Sequence, residues 1–324
     1  MGRYLRAALL GAAAIAIPAA LNFALARNSK ELDNALPGDS GEYSWPFGHI
    51  HYQVRGSGTP LVLLHGVGAG ESSYEWRHNF EALSAHYRVY ALDLPGFGKS
   101  ARRDITYSAD LYITALIDFL RDVVKEPASI IASSLSGAYA VQAATMRPEL
   151  IEKLILVCPT GLEKLRKRLP VASQIAYGLF SLPAIGTTLY NVIASSRYIE
   201  SYLRDNIYVD AAQVTPALVE HYYQYSHQRN AQYALRSFIS GLLNCDITDT
   251  YPAVNHPILV CWGRYASATP VENAQKFLKD NPNANLRIFE ESGLLPNDEE
   301  WQDFNDAVED FLSVGQPKRI LSEV

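Results

Sequence analysis

The sequence predicts an α/β protein: a mostly parallel sheet with helices on both faces and an inserted helical cap. Three observations carry this reading. Short continuous apolar runs at residues 61–64, 89–92, 129–132, 154–157 and 258–261 suit strands covered on both faces. Amphipathic stretches at 109–124, 137–145 and 271–278 alternate with several of them, and strand, helix, strand at this spacing builds a parallel sheet wrapped by helices. Residues 159–255 break the rhythm with a long, tyrosine-rich, helix-like stretch that shows no clear strand.

Composition narrows the function before any motif is read. With 324 residues, 48% of them hydrophobic and 19% charged, the chain can bury one large core and is not disordered or low in complexity. A net charge of −6 provides no basic field for a phosphate backbone, so nucleic acid is excluded as a partner. Cys158, Cys245 and Cys261 each sit beside apolar residues, and none has a spacing that suits zinc or a redox pair. They read as buried, inert thiols, and no metal or other cofactor is expected.

In chain order, Arg3 and Arg6 precede twenty uncharged residues, 7–26, before Arg27 and Lys30. Such a segment is an export signal or a membrane anchor. Ala24, Leu25 and Ala26 fit cleavage after Ala26, while twenty residues also reach across a bilayer, weakened as a span by Pro18 and Asn22. Both readings place the protein outside the cytoplasm or on a membrane. Residues 28–42, broken by Pro37, Gly38 and Gly41, read as a linker. Residues 48–55 alternate in strand fashion and end in the turn Gly56, Ser57, Gly58, which suits an edge hairpin. The organisation is therefore a sorting segment at 1–27, a linker at 28–42, a sheet core at 43–158 and 256–314, a helical cap at 159–255 and a tail at 315–324. A cap rich in aromatic rings over strand ends roofs a pocket for a small apolar molecule.

Four local patterns carry the chemistry. HGVGAG at residues 65–70 follows the strand LVLL, with glycines that let backbone amides approach a bound oxygen. DLPGFGKS at 93–100 is a second glycine loop at a strand end. ASSLSG at 132–137 lies between strand and helix and puts Ser134 on a sharp turn among small residues. The strand LVCWG at 259–263 is followed later by SGLLPNDEE at 292–300.

In this order the four patterns resemble the α/β-hydrolase superfamily, in its capped esterase, dehalogenase and haloperoxidase-like branch, over residues 43–312. The resemblance implies an eight-stranded type of sheet. It places Ser134 at the nucleophile position, with Ala132 and Ser136 where G-x-S-x-G has glycines, and an oxyanion hole in the backbone N–H groups of Val67 and Leu135. It also marks two departures. The slot of the acid after Trp262 and Gly263 falls on Ala266, and the slot of the general base after Gly293 falls on Leu294. No histidine occurs after His256, so the ordinary Ser-His-Asp mechanism is not supported.

Three explanations stand open. A histidine reaches the site from elsewhere, His221 or His227 on a cap helix starting at Thr215 and Pro216, six positions apart so that at most one faces the pocket, or His65 beside the oxyanion loop. Otherwise the chemistry needs an oxyanion hole but no acyl-enzyme, as in a lyase or isomerase step. Otherwise the chain is a pseudoenzyme that binds a ligand or partner without catalysis. The leading expectation is a hydrolase-like protein acting on a small apolar ester-type or carbonyl compound through Ser134.

Overall fold

In the computed structural model, residues 32–167, 171–182 and 185–313 are described. The sorting segment 7–26 and the tail 315–324 lie outside them. Eight strands, β1 (Asp39–Tyr43), β2 (Ile50–Arg55), β3 (Pro60–Leu64), β4 (Arg88–Leu92), β5 (Ala128–Ser133), β6 (Ile151–Val157), β7 (Ile258–Gly263) and β8 (Ala284–Phe289), form one sheet in the order β1-β2-β4-β3-β5-β6-β7-β8. The β1/β2 and β2/β4 pairs are antiparallel and the other five are parallel. The parallel strands therefore end on one side of the molecule, where the loops after β3, β4 and β5 meet.

Every residue of β3, β5 and β7 is buried, because helices cover both faces of the sheet. On one face α1 (Ala109–Phe119), α2 (Leu135–Met146) and α8 (Ala274–Asp280) pack Phe119, Tyr139 and Phe277 against Val62, Ile130 and Trp262. On the other, α9 (Trp301–Ser313) and the short turns after β3 pack Phe304, Trp76 and Phe80 against Leu61, Leu63 and Ile155. Two strands escaped the sequence reading. β8 alternates between half-exposed and exposed positions, so no apolar run marks it. β1 occupies residues 39–43, at the end of the stretch read as linker, and its Gly41 leaves room for the ring of Tyr52 on β2. The hairpin thus precedes β2 instead of following it, and β1 rather than β2 is the edge.

Between β6 and β7 lie α3 (Val171–Ser181), α4 (Ile185–Ile193), α5 (Ser196–Tyr202), α6 (Pro216–Ser226) and α7 (Gln232–Ile239), with no strand among the described residues. α6 starts as its sequence predicts: Pro216 is its first residue, and the Leu218 N–H donates to the Thr215 hydroxyl.

The loops at the strand ends are tied together by Asp93, which follows β4 and is 1% exposed. Its Oδ1 accepts the Ser73 N–H at 2.8 Å, and its Oδ2 accepts the Lys99 N–H at 2.8 Å and faces His51 Nδ1 at 3.0 Å. Burial alone would raise the Asp93 pKa, but the hydrogen bond and charge of His51 and the Lys99 N–H outweigh it and hold the carboxyl at about 2. A depressed folded-state value means stability of about 2 kcal/mol that is fully present above the ordinary 3.8 and is lost as pH falls towards 2. Replacing Asp93→Ala leaves two N–H groups and an imidazole buried without their acceptor. Urea unfolding at pH 7 should show a loss of about 3–5 kcal/mol, and the variant should lose less further stability between pH 4 and about 2 than the wild type does.

Candidate active site

β5 runs straight into α2 with one residue between them, and that residue must reverse the chain. Ser134 does so at φ 51°, ψ −119°, a conformation that costs an L-residue energy and that its neighbours enforce. Its N–H donates to the Val157 carbonyl at 2.8 Å, anchoring the turn on β6. Ser136, where the family pattern has a glycine, is not idle: its hydroxyl donates to the His65 carbonyl at 2.6 Å and joins the first turn of α2 to the end of β3.

His65 sets the loop opposite. Its Nε2 accepts the Leu94 N–H at 3.0 Å, which leaves the proton on Nδ1 to be donated to the Gly66 carbonyl at 2.6 Å. Burial lowers its pKa, so the ring stays neutral. A trans peptide whose C=O faces His65 turns the following N–H, that of Val67, the other way. The Leu135 N–H, at the first position of α2, has no acceptor within the helix. Val67 lines the cavity beneath the cap, and the Leu135 N–H begins the helix directly after Ser134.

Ser134 and Val67 line a cavity of about 570 Å³ beneath the cap. Its walls are mainly aliphatic and aromatic, with Ile193, Leu203, Leu235 and Phe238 from the cap and Leu294 and Leu295 from the core. Leu294 donates its N–H to the Ile207 carbonyl at 2.9 Å and so joins cap to core at the mouth of the last loop. Ala266 is 3% exposed, belongs to the core packing and does not line the cavity.

None of the eight histidines, all of them among the described residues, lines the cavity. His221 lies between the rings of Tyr74 and Tyr225, at 3.7 and 4.0 Å between centroids, with its Nε2 3.3 Å from the Ser72 hydroxyl. Burial, helped by Arg77, lowers its pKa to about 3. His227 packs on Tyr223 and donates Nδ1–H to that residue's carbonyl at 2.9 Å. Both cap histidines are packing groups, and His65 has both ring nitrogens engaged.

Two acidic residues that the sequence reading passed over do line the cavity. Glu71 and Glu75 belong to the run ESSYEW directly after the glycine loop, and two acids so close behind an oxyanion loop were the available signal. Glu75 is 3% exposed, and its Oε2 accepts the Gly66 N–H at 2.7 Å. Burial pushes its pKa up to about 7 against the lowering effect of hydrogen bonds from Gly66 and Ser133. Burial, reinforced by the charge of Glu75, also raises Glu71 well above the usual carboxylate range. Three buried polar atoms on cavity-lining residues have no partner among the described residues: Glu75 Oε1, Thr160 Oγ1 and Thr269 Oγ1. No group of three or more potential metal ligands occurs among the described residues.

Comparison with known proteins gives a consistent result. A model of the alpha/beta hydrolase family matches residues 61–307. A 2-hydroxy-6-oxo-6-(2'-aminophenyl)hexa-2,4-dienoic acid hydrolase of Metapseudomonas resinovorans is 30% identical over 269 residues, covering 81% of this chain and 87% of the relative. A 2-hydroxy-6-oxo-6-phenylhexa-2,4-dienoate hydrolase of Comamonas testosteroni is 28% identical over 274 residues, covering 81% and 91%. Among solved structures, a serine hydrolase involved in carbazole degradation superposes with a TM-score of 0.72 at 26% identity, covering 86% of this chain and all of that one.

Proposed function

The chain belongs to the α/β-hydrolase family, and from that premise we propose that it acts on a small apolar ester or carbonyl compound, attacked at Ser134 without the histidine and acid of the usual triad. The observation that carries this reading is a serine held at φ 51° at the edge of an apolar cavity that Val67 also lines. The relatives are named for hexadienoic acids, which bring a carboxylate of their own. Here the cavity walls are mainly apolar and carry one cation, Lys164, among the described residues, so an uncharged carbonyl compound is the better match. Protein location follows the sequence: we place the chain outside the cytoplasm or on a membrane through residues 7–26.

Leu294 and Ala266 support slow chemistry. In a serine protease, removing the histidine alone costs about 10⁶ in kcat, and the oxyanion hole with binding retains about 10³–10⁴ over water. A second reading, a non-catalytic ligand-binding protein, draws on the lack of any imidazole on the cavity wall.

Labelling by a fluorophosphonate and turnover of p-nitrophenyl esters test both. Wild type should react slowly and Ser134→Ala not at all. Leu294→His should give a modest gain, and Leu294→His with Ala266→Asp a larger, non-additive one, since the two residues act as a unit. Fast wild-type turnover lost in Ser134→Ala would overturn the missing-base argument. A folded double variant with no gain, in a protein that binds an apolar ketone without turning it over, would favour the non-catalytic reading.

A further inference from the structure

Glu75 carries more than the loop. A methyl group placed on Gly66 would lie 3.5 Å from Glu75 Oε2, 3.7 Å from Ser133 Oγ and 3.9 Å from Ser134 Cβ, so carboxyl and serine flank one point on the cavity floor. The Gly66 N–H at Oε2 and the Ser133 hydroxyl both bond the carboxyl, while Oε1 is buried with no partner among the described residues. Resting on the serine reading above, we propose that Glu75 is the proton-transfer group of the Ser134 pocket. As Ser134 Oγ bonds to the substrate carbonyl carbon, its proton passes to Glu75 and the C=O pair moves onto the oxygen between the Val67 and Leu135 amides. Collapse re-forms the carbonyl, breaks the bond to the leaving group and returns the proton from Glu75 to that group. Water repeats both transfers, releasing the acid and restoring Ser134.

The charged and titratable groups around Glu75 agree with such a role. Burial is the main influence raising its pKa, Asp298 adds to it and Arg77 opposes it, while Glu71, Tyr222 and Cys158 complete the surround. Fluorophosphonate labelling of the full chain between pH 5 and 9 tests the proposal. The wild-type rate should rise with pH and level off above about 7, whereas Glu75→Gln, whose amide oxygen still accepts the Gly66 N–H, should be flat and about 100-fold slower at pH 8. Glu75→Asp should keep the inflection at a reduced rate, a result that a merely structural role would not give. Labelling lost in Ser134→Ala but unchanged in Glu75→Gln overturns this proposal alone. Labelling that survives Ser134→Ala overturns the serine reading with it.

A different observation concerns the outside of the cap. Of thirteen exposed large hydrophobic residues among those described, nine fall between positions 171 and 202. Val171, Ile175 and Leu179 share one face of α3, and Ile185, Leu189 and Val192 one face of α4, each at least 40% exposed. Tyr198 and Tyr202 are exposed and also line the cavity, so its mouth opens on this surface. The Asp33 carbonyl accepts a hydrogen bond from Tyr225 of α6 at 3.1 Å, so the chain leaves the described fold on the cap side, within about 25 Å of residue 26. We infer that the α3–α4 face rests on the lipid bilayer that holds the uncharged segment 7–26, and that apolar ligand enters the cavity from it.

The three native cysteines are buried, so Ile175→Cys in the full chain takes a single bimane label. In vesicles of phosphatidylcholine and phosphatidylglycerol containing doxyl-labelled lipid, this label should be quenched at least several-fold more than one at Glu126→Cys, beside the opposite ends of the strands. Equal quenching at the two sites, or a label at 175 shielded by a second copy and cross-linking to it, overturns the inference.

Discussion

The carboxylate of Asp93 is the constraint on which the site depends. Through Ser73 it holds the segment that carries Glu75 two residues later, through Lys99 it closes the second glycine loop, and through His51 it reaches the antiparallel edge, where Ser40 of β1 lies 2.8 Å from the other ring nitrogen. Gly98 is obligatory beside it: φ is 51°, and a Cβ there would sit 2.0 Å from Asp93 Cγ. The next residue, Leu94, fixes the His65 tautomer and with it the direction of the Val67 amide. One buried charge thus transmits the register of β4 to both sides of Ser134 without touching the cavity.

The electrostatics of the cavity differ from those of an imidazole-based site. An apolar wall that includes Leu294 excludes water, and the same exclusion raises Glu71 and Glu75. A carboxyl held near neutrality by burial behaves as a base whose strength depends on a dry neighbourhood. Leu294 is therefore not a mere loss. By keeping the wall apolar it adds to the burial that raises the acids lining the same cavity.

Much of this was readable in the chain. The apolar runs of β3 to β7 and the small residues around Ser134 announce their structure because the relevant forces are local: two-sided burial and a turn that tolerates little bulk. β1 and β8 were not readable, since each is an exposed edge whose pairing, not its composition, makes it a strand. His221 and His227 show the reverse error. Their sequence positions allow access to the pocket, but stacking on Tyr74, Tyr225 and Tyr223, a long-range packing choice, takes both away. Glu71 and Glu75 escaped notice for a similar reason, because acids just after a glycine loop read as solvated until the Trp76 and Phe80 packing beside Glu75 shows that the segment is interior.

The close fit of α6 against the oxyanion loop has a mechanical meaning. At Gly70 a Cβ would come within 2.2 Å of the Tyr222 carbonyl, the Tyr222 hydroxyl reaches Glu71 at 3.4 Å, and Ser72 meets His221. The helix that forms part of the roof therefore bears on the strip of chain that supplies Val67 and Glu75. A displacement of that helix would pull on the loop below, so the fit of cap to core and the shape of the cavity floor are set by one and the same contact.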